Sequence, residues 1–145
     1  MSENQRKDPM REELARQFIE ALPHARALGM KMDRIGEGEA EISMDWNADF
    51  VGDPHSGVIH GGVISALMDT CCGAAVMSDV SMPRSTATID LRIDYMRAAM
   101  PGQRIIASAH CYHMTRSVAF VRAQAVDDDS ANPVATATGT FTVGR

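Results

Sequence analysis

The chain has no apolar run that approaches the roughly 18 residues of a bilayer-crossing helix, and its start, from Met1 to Met10, is polar and charged. Cationic residues are outnumbered as well: the chain has 14 Lys and Arg and 19 Asp and Glu, which gives a net charge of −5. Nucleic acids are bound by clustered cations. We therefore expect a soluble, cytoplasmic protein with neither a membrane nor a nucleic acid as its partner.

Cysteine is scarce as well, with Cys71, Cys72 and Cys111 as its only occurrences. Three residues at this spacing fit neither a disulfide framework nor a metal site, since adjacent residues on a helix point about 100° apart. We expect small core residues in a reducing compartment, and no metal site.

The length of 145 residues fits one domain over residues 1–145, with 1–22 as an N-terminal extension that carries a short amphipathic helix. Apolar spacing predicts this helix over Met10–Leu22, with Asp8 and Pro9 at its start and Pro23 at its end.

The rest of the chain predicts an α+β fold. From His60 to about Met77 nearly every residue is apolar or small, which is typical of a buried helix. Alternating or apolar segments predict strands near 30–35, 40–46, 87–95, 105–112, 117–126 and 135–143, with a long loop over 47–59. Because short turns imply antiparallel pairing, we expect a curved antiparallel sheet wrapped around one long apolar helix.

The start of this helix has the residues of an oxyanion site. Gly61 and Gly62 follow His60 directly, so backbone N–H groups and the positive end of the helix dipole are open to a developing negative charge. The only charged residue of the helix is Asp69, a candidate base or nucleophile.

The spacing of these groups indicates a dimer. Gly61 and Asp69 are eight residues apart, which is roughly 12 Å along one helix and too far for both to act on one carbonyl group. A two-fold dimer would bring Gly61 of one chain to Asp69 of the other, twice.

Three sequence blocks resemble the hotdog-fold acyl-CoA thioesterases of the phenylacetate-pathway (PaaI-like) type. They are Gly57–Gly62 with Asp69, Thr88–Arg97, and Arg116–Val121, in this order. The resemblance implies a hotdog fold, dimers that pair their sheets edge to edge, and two active sites at the dimer interface. Pairing of dimers into tetramers stays open.

The resemblance also implies roles for individual residues. Gly61 would donate its N–H to the thioester oxygen, Asp69 would activate water or attack directly, and Thr88 would position the water. The position of His60 suits a structural hydrogen bond at the turn better than general-base work. The candidate substrate-binding residues are Gly62, His55, Arg97, Arg116 and Ser117; the two arginines are included because a guanidinium fork matches phosphate geometry.

The sequence departs from the family in the loop before His60. Relatives often carry Asn or Gln there, whereas this chain has Gly52-Asp53-Pro54-His55-Ser56. His55 is either a substitute donor or an exposed loop histidine.

These features predict an acyl-CoA thioesterase that hydrolyses an aromatic or medium-chain acyl-CoA to a free acid and CoA. It would need no cofactor, since CoA is part of the substrate. One alternative is a non-catalytic acyl-CoA-binding or sensing module. Another is a hydroxyacyl-CoA dehydratase, which needs a His and an acid that both reach the substrate, whereas the helix offers only Asp69.

Overall fold

One long helix packs against a six-stranded antiparallel sheet. The computed structural model describes residues 9–145, with all of their side chains except that of Arg11. The helices are α1 (Pro9–Ala21), α2 (Pro23–Ala27) and α3 (Gly61–Met77). The strands are β1 (Lys31–Gly36), β2 (Glu39–Met44), β3 (Val51–Asp53), β4 (Val58–Ile59), β5 (Thr88–Tyr95), β6 (Ile105–Met114), β7 (Val118–Val126) and β8 (Ala135–Thr142).

The main sheet has the order β1-β2-β6-β7-β8-β5, and α3 contacts all six of these strands. Strands β1 and β5 form the two edges of the sheet. After β2 the chain passes through α3 to β5 at the far edge, and it then returns to β6, which pairs with β2. The predicted buried helix and antiparallel sheet are confirmed.

Helix α3 forms the centre of the core because its side chains are apolar on every face. Leu67, Met68, Cys71 and Cys72 are completely buried. All three cysteines are free and buried, as expected, and burial raises the pKa of the Cys71 thiol to about 12, so this thiol stays protonated. Among the described residues, no helix has both the length and the apolarity that a membrane crossing requires.

The structure corrects two expectations about local elements. Pro23 ends α1 but also begins α2, because proline is tolerated at the first helical position. The predicted long loop over 47–59 contains a 3₁₀ turn (Ala48–Phe50) and the small β3-β4 pair. Strands of two and three residues are too short to produce a readable alternation. The expected cap at Asp8 lies outside the described residues.

Strand β5 is an exposed edge with apolar side chains. Ile89 and Tyr95 are 57% and 52% exposed, and Met96 just beyond the strand is 60% exposed. The unpaired edge therefore combines free backbone groups with uncovered apolar surface, a combination typical of an association surface.

An ion pair fastens the end of β5 to the segment that precedes β8. The guanidinium of Arg97 donates to both carboxylate oxygens of Asp127, at 2.7 and 2.6 Å, and to the backbone oxygen of Asn132 at 2.7 Å. The Asp127 side chain is 1% exposed. The bonds from Arg97 hold the pKa of this carboxyl well below its usual range, despite its burial.

Replacement of Asp127 by Asn should destabilise the fold by roughly 2 to 4 kcal/mol, since it leaves the Arg97 charge unpaired. Urea unfolding near neutral pH measures this loss. The folded-state pKa is lowered, so the stabilisation is complete above the unfolded carboxyl pKa of about 3.9 and declines as the pH falls below it. The difference in the free energy of unfolding between the wild type and the variant should therefore become smaller in acid.

The matched control is Asp45→Asn, which breaks the exposed pair with Lys31. An exposed pair contributes at most about 1 kcal/mol. An equal loss of unfolding free energy in the two variants would contradict the prediction that the buried ion pair of Asp127 stabilises the fold more than an exposed one.

Candidate active site

The turn into α3 leaves one backbone donor open. The N-cap is His60, whose Nδ1 accepts a hydrogen bond from the Gly62 N–H at 2.8 Å. A Cβ at Gly62 would lie 2.9 Å from that Nδ1, so the cap requires glycine there. Within residues 9–145, no acceptor binds the Gly61 N–H. Gly61 thus presents a free donor at the positive end of the helix.

Tyr95 positions this donor, and the sequence analysis did not single it out. Its hydroxyl donates to the Gly61 carbonyl oxygen at 3.0 Å, and a Cβ on Gly61 would lie 3.4 Å from the ring. The signal was present, since Tyr95 lies within the Thr88–Arg97 block and alternates with charged residues. Alternation alone does not reveal that the end of β5 reaches the start of α3.

A second polar group lies two turns along α3. The Thr88 hydroxyl donates to Asp69 Oδ1 at 2.6 Å. Asp69 is half-buried, and Thr88 begins β5. The hydrogen bond fixes one carboxylate oxygen and leaves Oδ2 available for chemistry.

An extra residue in β5 aims Thr88 at this carboxylate. Thr88 pairs with Phe141 and Asp90 with Thr140, so Ile89 has no partner of its own and forms a bulge. With strict alternation, Thr88 would lie on the polar face of the sheet, and Leu91 and Ile93 on the other face. The bulge reverses the alternation of side chains at the start of the strand. As a result, Thr88 points toward α3 and Ile89 is exposed.

Asp69 and Thr88 line a groove of about 1380 Å³. Its walls come from α1, the face of α3 that follows Asp69, and residues 78–88. Most of the side chains that line it are apolar. The carboxylate therefore lies where an apolar group can be held beside it.

The structure keeps the two candidate groups of α3 apart. Gly61 begins the helix and Asp69 lies eight residues further along it, at roughly 12 Å. His60, Gly61 and Gly62 are brought together with Tyr95, while Asp69 is brought together with Thr88. Within one chain the two groups of candidate residues are therefore separate.

The loop before His60 is ordered by its acid. Asp53 accepts from the Ser56 hydroxyl at 2.6 Å and from the His55 N–H at 3.1 Å, and these bonds hold the pKa of Asp53 below its ordinary value. His55 is exposed, and within the described residues its imidazole makes no hydrogen bond; its backbone N–H is the group that bonds to Asp53. Asp53 therefore has a structural role in this loop.

The remaining candidates lie elsewhere. Arg97 directs its donors to Asp127 and Asn132, so its guanidinium is occupied within the protein. Arg116 and Ser117 are exposed in the turn between β6 and β7, where Arg145 donates to the Arg116 carbonyl oxygen at 3.2 Å. The sequence of the turn does not reveal that the C-terminal residue braces it.

The model of the thioesterase superfamily matches residues 56–134, which include α3, Thr88 and Tyr95. The chain belongs to the thioesterase superfamily. The medium/long-chain acyl-CoA thioesterase YigI of Salmonella typhimurium is 28% identical over 140 residues, with 88% of this chain and 89% of that protein covered.

Solved structures agree. A Pseudomonas aeruginosa protein is 38% identical with a TM-score of 0.79, over 90% of this chain and 96% of that chain. The phenylacetic acid degradation protein PaaI of Thermus thermophilus, solved as a mutant, is 31% identical with a TM-score of 0.74, over 84% and 99%. These findings confirm the predicted hotdog fold and the thioester hydrolase family.

Replacement of His60 by Ala should cost about 1 kcal/mol of stability, since the cap on Gly62 is lost. The turnover rate should fall as well, because the backbone N–H of the adjacent Gly61 is then held less firmly in position. His60→Asn supplies a capping oxygen and should recover most of both losses. Thermal unfolding and steady-state hydrolysis measure the two effects; a stable Asn variant without activity would instead indicate a chemical role for the imidazole.

Proposed function

We propose that this protein is an acyl-CoA thioesterase that hydrolyses acyl-CoA to a free acid and CoA. The observation that carries the proposal is the Asp69–Thr88 pair at 2.6 Å, which opens into an apolar groove. The free Gly61 N–H at the start of the same helix supplies the second requirement, a donor for the oxyanion. Membership of the thioesterase superfamily supports this assignment.

In the proposed reaction, the thioester oxygen accepts a hydrogen bond from the Gly61 N–H. Asp69 Oδ2 either takes a proton from the attacking water or attacks the carbonyl carbon itself. In the first route the water oxygen forms the new C–O bond; in the second, water hydrolyses the resulting anhydride. In both, the C–S bond breaks, the sulfur leaves as CoA thiolate, and Thr88 holds Oδ1.

The proposed active unit is a two-fold dimer. Since a helix separates Gly61 from Asp69 by roughly 12 Å, each site needs Gly61 of one chain and Asp69 of the other. The exposed apolar residues on the free edge of β5 support edge-to-edge pairing through this strand. Tetramers would need a further interface.

The substrate proposal follows the same reasoning. The apolar lining of the groove supports an apolar acyl group, and the Salmonella relative is named for medium and long acyl chains. For the CoA end we retain Arg116 and Ser117 in their exposed turn, but not Arg97, whose donors are occupied. No cofactor takes part in the proposed reaction.

Replacement of Asp69 by Asn should lower kcat by about 100-fold to 10,000-fold, because the base or nucleophile is removed. Thiol release from acyl-CoA, followed with a thiol reagent, measures the loss. Near-normal hydrolysis by a folded Asp69→Asn variant would remove Asp69 from the mechanism. A wild type that binds acyl-CoA without releasing thiol would instead favour a binding module.

A mixed dimer tests the shared site. Gly61→Pro removes the donor at a helix position where proline is tolerated, and the residue before it, His60, already has the extended backbone that proline demands. Each variant alone should be nearly inactive. When Gly61→Pro and Asp69→Ala chains are refolded together, half of the dimers should be mixed, each with one intact site, which gives about a quarter of wild-type activity.

The control refolds each variant with itself. If the mixture shows no more activity than these controls while native mass spectrometry detects mixed dimers, the two groups do not act across an interface.

A further inference from the structure

The groove beside Asp69 runs along two turns of α3. Asp69, Gly73 and Met77 are four residues apart on one face of the helix, and all three line the groove. The distance from Asp69 to Met77 is roughly 12 Å, with Gly73 halfway at about 6 Å. The groove is therefore longer than an acyl group made of a single ring.

Gly73 leaves the middle of this floor open. A Cβ added there would meet only the Thr86 methyl, at an ordinary contact distance of 3.9 Å. A larger side chain at Gly73 therefore has room to extend and narrows the passage from Asp69 to Met77. Glycine is less favourable than alanine inside a helix, so helix propensity does not explain the glycine in the centre of α3.

Helix α1 forms the opposite wall. It is fixed to the edge strand β1, since Arg16 Nε donates to the Met32 carbonyl oxygen at 3.0 Å and the Met32 N–H donates to Glu20 at 3.2 Å. Leu14 and Phe18 line the groove yet are 61% and 65% exposed. Apolar side chains on a firmly attached helix form a wall that the rest of the described chain leaves uncovered.

We propose that this groove holds a linear acyl chain and that Gly73 and Phe18 set the length of chain accepted. The inference rests on the proposed thioesterase function and extends it to specificity. The groove is continuous with the Asp69–Thr88 pair, so an acyl group whose carbonyl carbon lies at Asp69 extends past Gly73 and along α1. Phe18 then covers the part of the acyl chain that extends more than one turn of α3 beyond Asp69.

The test compares kcat/KM for dodecanoyl-CoA and butanoyl-CoA. Gly73→Leu should lower the dodecanoyl-to-butanoyl ratio at least tenfold, and Gly73→Ala should lower it less. Phe18→Ala should lower the ratio about tenfold, the effect of losing roughly two buried methylene groups. The control Gln17→Ala truncates a neighbouring exposed side chain of α1 that does not line the groove, and should leave the ratio unchanged.

A second measurement does not depend on catalysis. Dodecanoic acid should bind to the wild type by titration calorimetry and at least tenfold more weakly to Gly73→Leu, with circular dichroism to verify folding. Unchanged binding and an unchanged ratio in Gly73→Leu and Phe18→Ala would overturn the inference. So would a Phe18→Ala variant that changes the oligomeric mass but not the ratio, because the groove would then be a subunit contact.

The two proposals fail in different ways. A wild type that hydrolyses no acyl-CoA but binds dodecanoic acid through Gly73 contradicts the proposed thioesterase function and not the groove. A wild type that hydrolyses all chain lengths, with the same ratio in every variant, contradicts only the length selection.

Discussion

The burial of α3 is the constraint on which the rest of the structure depends. A helix that is apolar on every face must be covered, and here all six strands of the main sheet contact it. Its one charged residue, Asp69, therefore needs a polar partner, and Thr88 supplies it at 2.6 Å. The same need for coverage brings β5 alongside the helix, which carries Tyr95 to Gly61. One packing requirement thus positions both of the proposed half-sites.

The bulge in β5 shows how a small backbone irregularity turns one side chain toward the central helix. Without the unpaired Ile89, the alternation that buries Leu91 and Ile93 would turn Thr88 away from α3. The cost is an exposed isoleucine on a free sheet edge. That cost becomes a benefit if the edge pairs with a second chain, because the exposed isoleucine then lies beside the interface.

The sequence predicted the large elements because they carry long, regular signals. The apolar stretch after His60 and the strands of the main sheet extend over six or more residues each, and the order of motifs identified the family. It also identified Asp69 and Thr88 as candidates. It could not predict the β3-β4 pair, whose strands are too short for periodicity, or the partners of Arg97, since Asp127 is distant in sequence and its burial is a tertiary property.

Helix geometry gives a physical reason for dividing the proposed site between two chains. A carboxylate close to Gly61 on α3 would lie in the first turn, where the N–H groups and the helix dipole stabilise its negative charge and weaken it as a base. Asp69 lies two turns away from that end of the helix and accepts a hydrogen bond from Thr88 instead. An oxyanion donor and a general base thus favour opposite electrostatic surroundings, which one helix provides only at separate points. In the proposed two-fold arrangement each chain contributes both environments without compromise, and the free edge of β5 is the surface through which the two helices are brought side by side.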